Sequence, residues 1–483
     1  MLFHSLDFAI FLPIVFFLYW FVAKKNLKLQ NALIVTASYV FYGWWDWRFL
    51  SLIIFSTLVD YSIGRRLKNE EKQSTRKILM WTSIIVNLGF LGFFKYYNFF
   101  LDNFIAAFSF FGQEIQPNTL NIILPVGISF YTFQTLSYTI DVYRNKLEPT
   151  EDFIAFSAFV CFFPQLVAGP IERASNLLPQ FYKKRIFTYE KSADGMRQIL
   201  WGLFKKVVIA DNCAEYANLI FNNYGDYNGP TLILGVIFFA FQVYGDFSGY
   251  SDIAIGTSKL FGFNLMQNFA TPYFSRNIME FWKRWHISLT SWLTDYVFTP
   301  LAINYRHWGT MGIVSSIFFT FLISGLWHGA NWTFIVWGAL HGLYFLITIL
   351  FTRGKTPKGI VGQNSVLPSL KEIGQIVLTF LLVCFSYIFF RVDSLSHGFA
   401  FISRVCKSDW NFPDFEGRLL ALQIIILIVF LLFVEYAQRN YDFTLDLSRF
   451  RSKSVRLVVY ISLVLLIIIY WPSKEQVFVY FQF

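Results

Sequence analysis

The chain has 483 residues, of which 55% are hydrophobic, 21% aromatic and only 14% charged. A soluble domain carries about 25% charged residues, so the composition excludes an ordinary soluble enzyme and fits a polytopic membrane protein. The net charge of +10 calls for no nucleic-acid partner. Its basic residues gather in short loops, KKNLK (24–28), RRLKNEEKQSTRK (65–77) and RFRSKSVR (449–456), where the positive-inside rule puts them.

In chain order, apolar passes are predicted at 8–23, 31–47, 49–63, 78–97, 99–111, 121–140, 152–170, 231–256, 312–330, 332–351, 374–391, 419–436 and 457–472. The first has its lysines after the apolar stretch, the reverse of a cleavable signal. It is therefore expected to be retained, with the N-terminus outside and Lys24 and Lys25 inside. Residues 197–222 and 275–304 are more amphipathic. The fold class expected is all-α, about 11–14 membrane segments, some of them re-entrant and covered by protein. No polar stretch is long enough for a soluble domain, so one membrane domain is expected over 1–483. The basic loops 65–77, 173–191, 353–371 and 439–456 are placed in the cytoplasm, and the charge-balanced loop 391–418 outside. The last span then delivers an aromatic tail, residues 476–483 (QVFVYFQF), to the extracytoplasmic face. Cys161, Cys213, Cys384 and Cys406 lie far apart without metal spacing, so disulfides and metal sites are not expected.

Ionisable residues inside apolar sequence are the functional candidates of a membrane protein, and three clusters contain them. In FLISGLWHGANWTFIVWGALHG (321–342), His328 and His341 lie in a run almost free of charge. An imidazole can accept and return a proton near neutral pH. The flanking Trp327, Gly329, Asn331 and Trp332 favour a functional His328, while His341 reads first as a structural histidine. In MEFWKRWHISLTSWL (279–293), Trp282, Lys283, Arg284, Trp285 and His286 form a basic aromatic block. It suits either an interfacial anchor or a clamp for a carrier's phosphates. In YGDFSGYSDIAIGTSKLFG (244–262), Asp246 and Asp252 could line an ion path or brace a broken helix. The patch FPQLVAGPIERASNLLPQF (163–181) reads as a helix stopped sharply at a membrane face.

Taken together, QLVAGPIER, DFSGYSDIAIG, FWKRWHISLTSWLTDYVFTPL and SGLWHGANWTFIVWGALHG resemble the membrane-bound O-acyltransferase (MBOAT) superfamily. The likeness is to its bacterial branch, the membrane subunits of alginate and peptidoglycan O-acetyltransferases, and covers nearly the whole chain. The resemblance implies a helical bundle around a tunnel in the bacterial cytoplasmic (inner) membrane. It implies His328 as the central catalytic histidine and His286 as a second one at the cytoplasmic, donor side. Trp327, Asn331, Asp246 and Trp285 would line the tunnel. Lys283, Arg284 and Trp282 would receive the donor, acetyl-CoA, with no bound cofactor. The tail resembles an FxYFxF-like motif of this branch. The resemblance implies that Tyr480 accepts the acyl group and passes it to an extracytoplasmic SGNH-type partner, with Phe478, Phe481 and Phe483 making the tail's contacts. A phenol, of pKa about 10, is more easily deprotonated than a sugar hydroxyl, and its ester is a better donor. The rival readings are D-alanyl transfer within the same family and a transporter of a lipid-linked solute, although no paired interrupted helices of the transporter kind appear.

Overall fold

A computed structural model describes residues 1–110, 120, 122–357, 359–363, 365–441, 445, 447, 452–472 and 478–479. Among the described residues every regular element is a helix. Lipid offers no partner to a backbone N–H or C=O, and a helix satisfies both within itself. Two compact units are formed, residues 1–195 with 257–266 and residues 196–256 with 267–483.

In the first unit, α1 (Leu6–Phe17) continues through a π turn, and α2 (Leu27–Asp46) and α3 (Leu50–Asn69) follow. The passes expected separately at 78–97 and 99–111 are one continuous helix. There α4 (Gln73–Leu91) runs through a π turn into α5 (Tyr97–Phe110), because no proline or turn pair interrupts the sequence. After α6 (Ile128–Tyr143) come α7 (Phe153–Cys161), α8 (Phe163–Leu166) and α9 (Ala174–Leu177), broken up by the prolines of the 163–181 patch. The Asp60 carboxylate of α3 accepts from Ser83 and Asn87 on α4 and Thr139 on α6. Burying a carboxylate is tolerable only with such partners, and this one ties three helices together. Glu172 of the GPIER stretch accepts from the Met266 N–H at 2.5 Å and from the Asn176 amide at 2.6 Å. Burial pushes its pKa up to about 7.

The second unit takes up the chain within α10 (Tyr189–Leu203), then a π turn (Phe204–Ala210), α11 (Asp211–Asn222) and α12 (Gly229–Leu260), whose last residues return to the first unit. Three short helices follow, α13 (Ile278–Arg284), α14 (Ile287–Leu293) and α15 (Thr299–Asn304). They account for the amphipathic stretch 275–304, since none is long enough to span a bilayer. Next come α16 (Thr310–His328), α17 (Trp332–Thr352) and α18 (Leu370–Arg391). The loop expected at 391–418 contains α19 (Leu395–Lys407), and α20 (Arg418–Ala437) and α21 (Lys453–Ile469) complete the unit. Six helices among the described residues are long and apolar enough to cross a membrane: 73–107, 229–260, 310–328, 332–352, 370–391 and 418–437. The protein is thus a multi-pass membrane protein.

Glycine lets α16 and α17 meet backbone to backbone. A Cβ at Gly325 would stand 2.2 Å from the Phe334 carbonyl oxygen, and one at Gly338 would stand 2.4 Å from that of Phe321. Small residues that admit close approach are the usual means of helix association in lipid. The contact fixes the C-terminus of α16, and with it His328, against α17.

Candidate active site

The two histidine motifs bring three histidines into one column of rings. His286, between α13 and α14, lies 5.8 Å from Trp327. Trp327 lies 4.9 Å from His328, His328 4.8 Å from Trp337, and Trp337 4.8 Å from His341. All three imidazoles are buried. Phe390 of α18 closes the side of the column at 5.2 Å from His328.

The backbone at His286 is left-handed, with φ 43° and ψ 54°. A non-glycine residue in that region is uncommon, and such outliers cluster at functional sites. Asn268 holds the turn. Its carbonyl oxygen accepts the Ile287 N–H at 2.9 Å, and its Oδ1 accepts the Ser288 N–H at 3.3 Å and the Ser288 hydroxyl at 2.8 Å. Its Nδ2 donates to Ser251 Oγ at 3.0 Å. The atom facing His286 Nδ1 at 3.2 Å is therefore the amide oxygen, so Nδ1 carries the imidazole proton. That leaves a lone pair on Nε2, which has no hydrogen-bond partner among the described residues. The ring lies outside the six long helices, and burial pushes its pKa down. His286 is thus a neutral imidazole with its basic nitrogen available.

His341 is held from the opposite nitrogen. The Ser386 hydroxyl donates to the Val383 carbonyl at 2.7 Å, so it accepts from His341 Nε2–H at 2.9 Å. This bond joins α17 to α18, and Trp282 packs on the ring at 5.1 Å. Trp285 stacks on Phe281 at 5.4 Å and meets Phe269 at 5.1 Å. Asn331 caps α17 by accepting the Thr333 N–H at 3.0 Å and donates to the Asp393 carbonyl at 2.8 Å. Lys283 is exposed and bonds to Thr356 at 3.1 Å. Arg284 pairs with Glu280 at 2.9 Å, and Glu280 also takes Arg276 at 3.0 Å. A polar cavity of about 210 Å³ is lined by Asn268, Arg284, Lys205, Asp252, Glu435 and Arg439. Asn268, the residue that orients His286, forms part of its wall.

The aspartates of α12 each meet a lysine of the π turn. Asp252 pairs with Lys205 at 2.5 Å, while Asp246 Oδ1 and Asp211 share Lys206 at 2.5 and 2.7 Å. The other oxygen of Asp246 accepts the Val479 N–H at 2.9 Å. Phe478, beside it, lies 4.6 Å from Tyr250 and 6.2 Å from Phe247, and Phe247 lies 4.5 Å from His286. Phe478 and Val479 are each 1% exposed, so this part of the tail is inserted in the second unit. Tyr480, Phe481 and Phe483 lie outside the described residues.

Residues 150–364 match the family model described as "MBOAT, membrane-bound O-acyltransferase family". The chain is 38% identical to "Probable alginate O-acetylase AlgI" of Azotobacter vinelandii, over 89% of this chain and 84% of that one. It is 41% identical to the protein of the same name from Pseudomonas aeruginosa, over 80% and 71%. It is 34% identical to "Peptidoglycan O-acetyltransferase" of Helicobacter pylori, over 80% and 76%. The chain belongs to the membrane-bound O-acyltransferase family. It is therefore an acyltransferase.

Sequence reasoning passed over Asn268, Ser288, Lys205 and Lys206. The two lysines carried a usable signal. A lysine pair within FKKVVIA, facing two intramembrane aspartates elsewhere, satisfies the demand that buried charges find partners. Asn268 carried none, because a polar residue in a loop is ordinary. No group of three potential metal ligands occurs among the described residues.

Proposed function

We propose that this acyltransferase moves an acetyl group from cytoplasmic acetyl-CoA to the tyrosine of its own tail. From there the group passes to an extracytoplasmic SGNH-type partner that O-acetylates a cell-envelope polysaccharide such as alginate or peptidoglycan. The setting would be the bacterial inner membrane, with both termini outside. The observation that carries the reading is the join between tail and histidines. Phe478 packs on Phe247, and Phe247 packs on His286.

In the proposed reaction, His328 takes the proton from the Tyr480 hydroxyl. The phenolate attacks the thioester carbonyl of acetyl-CoA, the C–S bond breaks, and the thiolate leaves as CoA with a proton returned from imidazolium. His286, with Nε2 unprotonated, handles protons at the donor end. Arg284 and Lys283 supply the positive charge that a donor's phosphates need, Trp282 and Trp285 hold the surrounding aromatic wall, and the polar cavity gives the pantetheine arm a path. The acetyl ester on Tyr480 is the species offered to the partner. Relatives named as O-acetylases or O-acetyltransferases are 34–41% identical and two teichoic acid D-alanyltransferases only 28–29%, which supports acetyl over D-alanyl transfer. The test is acetyl-CoA turnover by the purified protein in lipid nanodiscs, with acetyl on the C-terminal peptide read by mass spectrometry. A Tyr480→Phe variant that still acetylates polysaccharide in cells at the normal rate would overturn the relay.

A further inference from the structure

The buried ion cluster of the π turn is not used by the chemistry above. Lys206 is fully enclosed, with Asp211 and Asp246 on its ammonium. One ammonium against two carboxylates formally leaves a negative charge in excess, and burying such a charge is costly unless hydrogen-bond donors meet it. Asp246 meets one in the tail, through the Val479 N–H at 2.9 Å on Oδ2. Its Oδ1 is occupied by Lys206, so the ion pair aims the second oxygen. Phe478 is seated at the same time against Tyr250 and Phe247, which lie on α12 with Asp246. The main chain is gripped at the residue immediately before Tyr480.

We propose that Asp246 is a positioning residue, a latch that grips the tail's main chain through Val479 and so sets where Tyr480 is presented. Lys206, itself held by Asp211, aims the latch. A backbone contact fixes register whatever the side chain at 479, while the Phe478 ring against Tyr250 and Phe247 supplies the apolar grip. The proposal rests on the tyrosine relay, and it makes α12 an active partner of the tail as well as a brace.

Asp246→Asn tests it. An amide has one acceptor and one donor end, so it cannot accept from both Lys206 and Val479. Val479→Pro removes the donor itself and leaves the ion cluster intact. In nanodiscs supplied with acetyl-CoA, both variants should raise the ratio of free acetate to acetyl-Tyr480 by at least about tenfold, the effect of losing one charge-assisted hydrogen bond. Hydrogen exchange of the C-terminal peptide should quicken in Asp246→Asn by a similar factor. Both variants within about twofold of the parent on the acetate ratio, with Asp246→Asn exchange unaltered and Tyr480→Phe inactive, would overturn the latch and leave the relay standing. Full transfer by Tyr480→Phe would overturn both.

Discussion

His286 and His341 are both buried, and each donates one ring N–H to a side-chain oxygen, yet their surroundings differ in kind. His341 donates from Nε2 to Ser386 and so binds α17 to α18, with Trp282 and Trp337 on its faces. His286 donates from Nδ1, stands on left-handed backbone at a turn between two short helices, and borders residues that contact the tail and the polar cavity. A histidine inside a helix pair is well placed to fasten it. One at a strained turn, oriented by a dedicated amide, is well placed to react.

That contrast can be broken by substitution. The largest effect should come from His328→Ala, at the centre of the column. Loss of a general base costs roughly 10²–10⁴-fold in rate, read as acetyl transfer from acetyl-CoA in nanodiscs. Asn268→Ala should come next. It frees the His286 ring to swing and to change tautomer, lowering kcat by about 10–100-fold. Arg284→Ala should raise KM for acetyl-CoA by about tenfold, the scale of one charge-assisted contact, with a smaller change in kcat; an unchanged KM would favour the interfacial-anchor reading of the basic block. Ser386→Ala should have the least effect on activity. It leaves a buried N–H unmet and costs about 1–3 kcal/mol of stability, seen as a lower Tm, while turnover per folded molecule stays within about twofold. A large loss of turnover in Ser386→Ala with an unchanged Tm would erase the distinction between the two histidines.

Much of the helical plan was readable in advance, because hydropathy runs report lipid exposure directly. The passes expected at 312–330, 332–351 and 419–436 differ from α16, α17 and α20 by two residues at most. The π turn between α4 and α5 was not readable, since i→i+5 bonding leaves no mark on a hydropathy profile. Each histidine motif could be marked as out of place in its own stretch. Their alignment on Trp327 and Trp337 could not, because it rests on tertiary ring contacts, those between α16 and α17 set by the glycine-permitted approach of their backbones. Lys205 and Lys206 were absorbed into an amphipathic pattern that reads as surface, and only pairing with Asp252 and Asp246 reveals them as interior. Asn268 shows the limit most plainly, since its role lies in five hydrogen bonds that no local pattern encodes.

The most direct test of the account is the mass of the C-terminal peptide after the purified protein has been incubated with acetyl-CoA and no partner. The account predicts one added acetyl group on Tyr480, absent in His328→Ala. Acetyl-CoA consumed by the active protein, with acetyl appearing as free acetate and never on Tyr480, would contradict it.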